Sequence, residues 1–173
     1  MIRDDLIKRL KRLDYDASLQ FEADRRFRMI IVGGSALILL EILTRATMDI
    51  DTLYAPRELL DLMEKYDINA HVETYINNFP YNFEDRLVQL PIEGERIDFY
   101  TASLEDIVVA KLYSSRDTDR QDIISETVLQ NVSWDELERL AFADDEAKAS
   151  ALNDRAYQDF LDNYMEYVRR FRP

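Results

Sequence analysis

The sequence lacks cysteine and contains one histidine among its 173 residues. The absence of cysteine excludes disulfides, cysteine-ligated zinc and thiol catalysis. A single imidazole, that of His71, excludes any site that needs two, and we expect this residue to be structural. Catalysis by this chain would therefore depend on carboxylates, lysine, arginine or hydroxyl groups.

Long hydrophobic runs are also missing. The longest, Ala36 to Leu40, is far shorter than the roughly 18 apolar residues that a membrane span needs. The N-terminus has no signal-peptide core, because acids follow at Asp4 and Asp5. We therefore expect a cytoplasmic protein with no membrane association.

Apolar material is plentiful and evenly spread. Hydrophobic residues make up 47% of the chain and charged residues 33%, and runs of like charge are short. This composition is typical of a folded protein with a sizeable core rather than a disordered one. The length fits a single domain.

The formal net charge of −13 is unevenly distributed. The first thirty residues carry a net charge of +2, and the remainder is strongly acidic. An acidic surface repels phosphate backbones, so broad nucleic-acid binding is disfavoured. A small RNA stays open as a partner because of a basic patch near the N-terminus, formed by Lys8, Arg9, Lys11, Arg12, Arg25, Arg26 and Arg28.

Hydrophobic periodicity and turn residues predict short helices, then an α/β segment, then a helical last third. In the first part the pattern predicts helices over 4–13, 17–25, 35–43 and 56–65 and strands over 29–32, 47–54, 68–76, 86–90 and 95–100. Beyond residue 102 it predicts helices over 103–115, 119–129, 133–142 and 147–170. We expect a core of residues 1–102 and a helical part of residues 103–173, packed together as one compact unit.

The first candidate site is Gly33-Gly34-Ser35, which lies between a predicted strand and a predicted helix. Glycines let a backbone approach a ligand closely, and the N–H groups that begin a helix attract phosphate. The Ser35 hydroxyl would add another donor. Taken alone, the same three residues are more typical of an ordinary turn than of a phosphate site.

The second candidate site is Asp49-Ile50-Asp51 on a predicted strand. Side chains alternate along a strand, so both carboxylates would share one face and repel each other unless a cation lay between them. Asp98, flanked by Ile97 and Phe99, supplies a third acid on a later strand. If the two strands are neighbours, three acids converge on one metal site; otherwise the pair is a solvated acidic edge.

The residues in this order resemble the nucleotidyltransferase superfamily, whose signature is Gly-Ser, a spacer, Asp-x-Asp and a third acid on a later strand. The similarity covers roughly residues 29–125 and is greatest to the branch that includes abortive-infection toxins and related small bacterial proteins. It continues beyond the acids into 104–112 and 116–123. The spacer is long for the superfamily as a whole. The resemblance implies an α+β fold, with a mixed sheet flanked by helices and a helical C-terminal third.

The resemblance also implies roles for individual residues. Asp49 and Asp51 would hold Mg²⁺ or Mn²⁺, with Asp98 as a third ligand or general base. Gly33, Gly34 and Ser35 would bind the triphosphate of an NTP substrate, and Lys111 would meet phosphate or the catalytic centre.

Two cations have alternative interpretations. Lys111 lies on an apolar helix stripe with Leu104, Ile107, Val108 and Leu112, so it either extends its ammonium to solvent or meets an anion. Asp117, Asp119 and Asp122 either position Lys111 or Arg116, or serve as surface and capping groups. Arg45 is either a phosphate clamp or an ion-pair partner near Asp49.

These observations predict a metal-dependent enzyme that transfers NMP from an NTP to a protein, a tRNA end or a small molecule. The branch it resembles suggests a toxin–antitoxin or phage-defence pair, with an antitoxin or other protein as partner. The alternative is a catalytically silent interaction protein, whose acidic C-terminal third docks a basic partner.

Overall fold

The computed structural model describes residues 1–70 and 73–173, without the side chains of Glu73 and Thr74. His71 and part of the strand predicted over 68–76 lie outside these residues. Within the described ranges, every helix is too short or too polar to cross a membrane. The chain divides into two compact units, the first formed by Met1–Glu73 and Leu87–Ala102 and the second by Thr74–Arg86 and Ser103–Pro173. Residues 74–86, which the sequence groups with the core, thus cluster with the helical part.

The first unit contains helices and a five-stranded sheet of order β3-β2-β1-β5-β4. The strand β1 pairs antiparallel with β2 and parallel with β5, so the sheet is mixed. The predicted α+β fold is confirmed. The elements are α1 (Arg3–Gln20), β1 (Phe27–Val32), α2 (Gly33–Leu39), β2 (Ile50–Leu53), α3 (Leu60–Lys65), β3 (Ile68–Asn69), β4 (Val88–Gln89) and β5 (Ile97–Thr101), with a 3₁₀ turn at Arg57–Leu59. Two further 3₁₀ turns lie at Glu73–Asn78 and Phe83–Arg86, and residues 74–86 belong to the second unit.

Helix α1 is longer than its predicted bounds, and the separate helix predicted over 17–25 is wrong. Its apolar stripe runs through Leu6, Leu10, Leu13 and Ala17, all fully buried and spaced three or four residues apart. Ala17 completes this stripe, so burial holds the chain helical beyond the predicted end. The turn before β1 begins only after Gln20.

Asp14 joins α1 to the loop before β5. Its buried carboxylate accepts backbone hydrogen bonds from Glu95, Arg96 and Ile97 at 2.7, 2.9 and 2.8 Å. One charged acceptor thus satisfies three successive backbone donors, of which the N–H of Ile97 is buried. Gly94 is needed at this contact, since a Cβ there would lie 2.2 Å from the Ile97 carbonyl oxygen.

The second unit is helical, with α4 (Leu104–Tyr113), α5 (Asp117–Ile123), α6 (Glu126–Asn131), α7 (Trp134–Phe142), α8 (Ala147–Ser150) and α9 (Asp154–Phe171). Two predicted helices, over 119–129 and 147–170, are each divided in two. The division falls at Ser125 and Asn153, whose side chains accept the N–H three residues onward. Both residues are strong N-caps, so each begins a new helix. Ser103 caps the start of α4, because its hydroxyl oxygen accepts the backbone N–H of Asp106 at 3.1 Å.

A buried ion network lies within this second unit. The guanidinium of Arg86 meets Asp106 at 2.8 Å and Glu146 at 2.7 Å, and both carboxylates are almost fully buried. Burial raises the pKa of Asp106, while the hydrogen bonds from Arg86 and Ser103 oppose that rise. The sequence shows no sign of this network, because its members are separated by up to 60 positions.

Candidate functional site

The Gly-Gly turn between β1 and α2 has the backbone that the sequence predicts. Gly33 has φ +70°, a left-handed conformation that side chains with a Cβ rarely adopt. A Cβ at this position would also lie 3.3 Å from Asp51 Oδ2. The Asp51 carboxylate therefore lies directly beside the turn, as a shared site requires.

Arg45 lies at the same turn. A Cβ on Gly34 would come within 2.6 Å of Arg45 Nη2, so the guanidinium occupies the space that a side chain at Gly34 would take. The other terminal nitrogen, Nη1, donates to the Ala46 carbonyl at 3.0 Å. The turn thus brings a cation and a carboxylate to two successive glycines.

Ser35 is turned inward in this arrangement. Its hydroxyl donates to the Val32 carbonyl at 3.0 Å, and the residue is 1% exposed. This bond ties the first turn of α2 to the end of β1. Contact between the Ser35 hydroxyl and a triphosphate stays a prediction.

Asp49 and Asp51 flank the buried Ile50 at the start of β2. Strand β2 begins at Ile50, so Asp51 lies on the strand and Asp49 directly precedes it. Burial nevertheless alternates as predicted, with Asp49 exposed, Ile50 fully buried and Asp51 half-buried. Thr47 Oγ1 donates to the Asp49 carbonyl at 3.3 Å and so orders the approach to the strand.

Asn69 is a further polar residue at this site. Its side-chain amide donates to Asp51 Oδ1 at 3.2 Å, and it lies across from Asp51 in the β2–β3 pairing. A cavity of about 480 Å³ is lined by Asp49, Asn69 and other residues of α3 and β3. Sequence reasoning missed Asn69, because β3 has only two residues and its pairing with β2 leaves no pattern in the chain.

Asp98 does not join the other two acids. Strand β1 separates β5 from β2, and Asp98 pairs with Arg28 whereas Asp51 pairs with Val32. These positions are four residues apart on β1, about 13 Å along the strand. The expectation that three acids converge is therefore wrong, since it required β5 to lie beside β2.

The carboxylate of Asp98 instead forms an ion pair with Arg26. Arg26 Nε also lies 3.3 Å from Asp98 Oδ2, and its Nη1 donates to the carbonyls of Gly94 and Glu95. The hydrogen bond to Asp98 raises the pKa of the Arg26 guanidinium. This pairing satisfies the acid that the sequence leaves unexplained on β5.

Lys111 belongs to the second unit and is buried there. Its ammonium forms ion pairs with Asp119 and, at 2.9 Å, with Asp122. Two of the three acids expected near Lys111 thus contact it, and both lie on α5, across the break that follows α4. The predicted contact of Lys111 with phosphate stays a prediction.

The donor set fits a metal that takes few protein ligands. Among residues 1–70 and 73–173, no group of three or more acidic or histidine side chains is arranged to hold a metal ion. Magnesium commonly binds one or two carboxylates and completes its shell with water and substrate phosphates. Asp49 and Asp51 supply the two carboxylates that this mode requires.

Comparison with known proteins identifies a family that this chain matches. Residues 8–172 match the model of a family described as "Nucleotidyltransferase of unknown function (DUF6036)". No curated protein and no solved structure matches this chain. The match spans nearly the whole sequence, including the glycine turn, the paired acids and the helical unit. The chain is therefore a member of this family of nucleotidyltransferases of unknown function.

Proposed function

We propose that this protein is a metal-dependent enzyme that transfers NMP from an NTP to an acceptor. The observation that carries the proposal is the meeting of Asp51 and Arg45 at the Gly33-Gly34 turn. The Asp51 carboxylate lies beside Gly33 and would hold a metal, and the Arg45 guanidinium lies beside Gly34 and would bind phosphate. Family membership supports the same reaction class.

Asp49 and Asp51 would hold Mg²⁺ or Mn²⁺ together with oxygens of the substrate. A divalent ion in that position would supply positive charge and stabilise the phosphates while the nucleotidyl group passes from pyrophosphate to the acceptor. The side-chain amide of Asn69 donates to Asp51 Oδ1 and would hold the carboxylate in place, with Oδ2 toward the glycine turn. Asp98 has no part in this proposal, because Arg26 pairs with it on another region of the sheet.

The turn and Arg45 would bind the triphosphate. The Arg45 guanidinium, which lies against Gly34, would donate to a phosphate oxygen bound at the turn. An acceptor hydroxyl oxygen then bonds to the α-phosphorus as the bond to pyrophosphate breaks. The hydroxyl proton passes to water.

A second function is favoured by a specific observation. The expected third acid is paired with Arg26, and Lys111 is paired with two aspartates, so two predicted catalytic groups have structural partners. A silent interaction protein, such as one half of a toxin–antitoxin or phage-defence pair, would tolerate this arrangement. The acids of α7 and α9 would then face a basic partner protein.

Radiolabelled nucleotide distinguishes the two functions. The protein is incubated with Mg²⁺, cell extract and NTP labelled either at the α- or the γ-phosphorus. Nucleotidyl transfer labels a product only from α-labelled NTP, and Asp49→Asn or Asp51→Asn should reduce that labelling at least a hundredfold. Asp24→Asn removes an exposed acid of the same unit and serves as the control, with labelling expected at the wild-type level.

Three results would count against the enzymatic proposal. Labelling from γ-labelled NTP would indicate phosphoryl transfer instead. Equal loss in all three variants would indicate a general charge effect. No labelling with any of the four NTPs would favour the interaction protein.

A further inference from the structure

A second cavity of the first unit is basic, although the protein is strongly acidic. It has a volume of about 400 Å³ and lies between α1 and the end of α3. Four cations line it against two acids, namely Lys8, Arg9, Arg12 and Lys65 against Asp5 and Asp67. The cavity therefore has an excess of positive charge in a chain whose net charge is −13.

The cations differ in how they are held. Arg9 Nη1 donates to the Tyr66 carbonyl at 3.1 Å and lies 3.8 Å from Asp67, so its position is fixed. Lys65 pairs with Asp16 at 2.5 Å. By contrast, Lys8 and Arg12 have no carboxylate partner among the residues that the structure describes.

The two unpaired cations are neighbours. Lys8 and Arg12 are four residues apart on α1, so their side chains lie on the same face of the helix and repel each other. An anion between them would remove this repulsion and gain hydrogen bonds from both groups. Their arrangement, beside a fixed arginine in a concave surface, is that of an anion site.

The basic cavity is next to the acids of the proposed site. Thr47, two residues before Asp49, donates its backbone N–H to the Met1 carbonyl at 3.0 Å, and Met1 lines the basic cavity. Asp67 lines both this cavity and the one that contains Asp49. A ligand held by Lys8 and Arg12 would thus lie in a cavity that borders the one lined by Asp49.

Size and charge define the class of ligand. The volume falls in the lower part of the range for small-molecule pockets, which suits a mononucleotide-sized compound. A long nucleic acid would extend past the basic region and meet the acidic remainder of the surface, which repels its backbone. A compact phosphomonoester fits the cavity without that repulsion.

We propose that the α1–α3 cavity binds the phosphate of a small phosphorylated acceptor that bears a free hydroxyl. This assignment as acceptor site rests on the proposed nucleotidyl transfer, whereas phosphate binding itself does not. Lys8 and Arg12 contact the phosphate, Arg9 supports them, and the hydroxyl end faces the region of Asp49.

Calorimetry with a nucleoside 5′-monophosphate, in the presence of EDTA and without NTP, tests this site apart from catalysis. Wild-type protein should bind the monophosphate, and Lys8→Gln combined with Arg12→Gln should weaken binding at least tenfold. The matched control combines Lys11→Gln with Arg57→Gln, which removes equal charge from exposed positions outside the cavity. Its affinity, and that of Asp49→Asn, should stay within about twofold of wild type.

Each other outcome overturns the proposal. No binding by the wild type, or equal weakening in the charge control, would show that the cavity is not a specific anion site. Loss of binding in Asp49→Asn would place the ligand at the paired acids. A 5′-phosphorylated RNA oligonucleotide that binds through Lys8 and Arg12 far more tightly than the monophosphate would make the ligand a nucleic acid. A monophosphate that binds as expected but never receives label would overturn its role as acceptor, and it would separate failure of the proposed function from failure of the phosphate site.

Discussion

Gly33 and Gly34 are adjacent glycines with different physical requirements. Gly33 is required by its backbone, because φ +70° is strained for any residue with a Cβ. Gly34 is required by its surroundings, because a side chain there would displace the end of Arg45. Gly33 is thus constrained by its own backbone, and Gly34 by a neighbouring side chain.

Alanine substitutions should separate these two requirements. Gly33→Ala should lower the free energy of unfolding by about 1–2 kcal/mol, the cost of a left-handed alanine. Gly34→Ala should change it by less than about 0.5 kcal/mol, because the end of a flexible arginine can move, while it weakens NTP binding several-fold. Urea unfolding and calorimetry measure both effects. Equal losses of stability in the two variants would contradict a backbone requirement that is specific to Gly33. Unchanged NTP binding by Gly34→Ala would contradict a triphosphate site at this turn.

At the scale of residues, the sequence predicts which side chains are unusual better than it predicts which residues they contact. Gly33, Asp51 and Arg45 are recognisable from their spacing, and the structure brings all three together. Asp98 is recognisable as an unusual acid within an apolar strand, yet its partner Arg26 is distant in sequence and leaves no local pattern. Asp14 and Asn69 show the same limit, since each acts through a pairing that only the folded chain creates.

At the scale of elements, buried helix packing in the second unit depends on neutral tyrosines. The hydroxyl of Tyr167 donates to the Ile123 carbonyl at 2.7 Å, and that of Tyr113 donates to the Ala147 carbonyl at 2.8 Å. Burial raises the pKa of both phenols well above the ordinary value. Ionisation of either would remove a donor and leave a charge in an apolar surrounding.

Alkaline pH should therefore destabilise this unit. In the unfolded chain the phenols ionise near pH 10, whereas in the folded chain they keep their protons to higher pH. Their contribution is complete below about pH 10 and is lost as pH rises above it, by up to roughly 1.4 kcal/mol per pH unit for each tyrosine. Urea unfolding at pH 9, 10 and 11 measures this slope. Tyr167→Phe should make it shallower, and Tyr81→Phe, at an exposed position, should not.

Elements with a continuous apolar pattern are predictable, and boundaries set by single polar side chains are less so. The apolar stripe of α1 and the apolar run of β1 predicted the right element types, because burial of these residues stabilises the helix and the strand. Ser125 and Asn153 divide predicted helices, because a cap competes with continued periodicity. A two-residue strand such as β3 forms by pairing with its neighbour in the sheet, and it is too short to show an alternating hydrophobic pattern in the sequence.

At the scale of the whole molecule, charge is segregated along the chain. The early basic residues of α1 line one cavity, and the acids that follow surround Asp49 in another. Sequence composition indicated this segregation but could not show that both cavities belong to one unit and share Asp67. The strand order was equally hidden, and it is the strand order that separates Asp98 from the pair at β2.

The most direct test of the proposed metal site uses Mn²⁺ with a nonhydrolysable NTP. Water-proton relaxation changes when the Mn²⁺–NTP complex binds the protein, and it reports the affinity of that complex. We expect Asp49→Asn and Asp51→Asn each to weaken it at least tenfold, while Asp98→Asn leaves it within about twofold of wild type. Wild-type affinity in the first two variants, or a loss in the third, would contradict a metal site formed by Asp49 and Asp51.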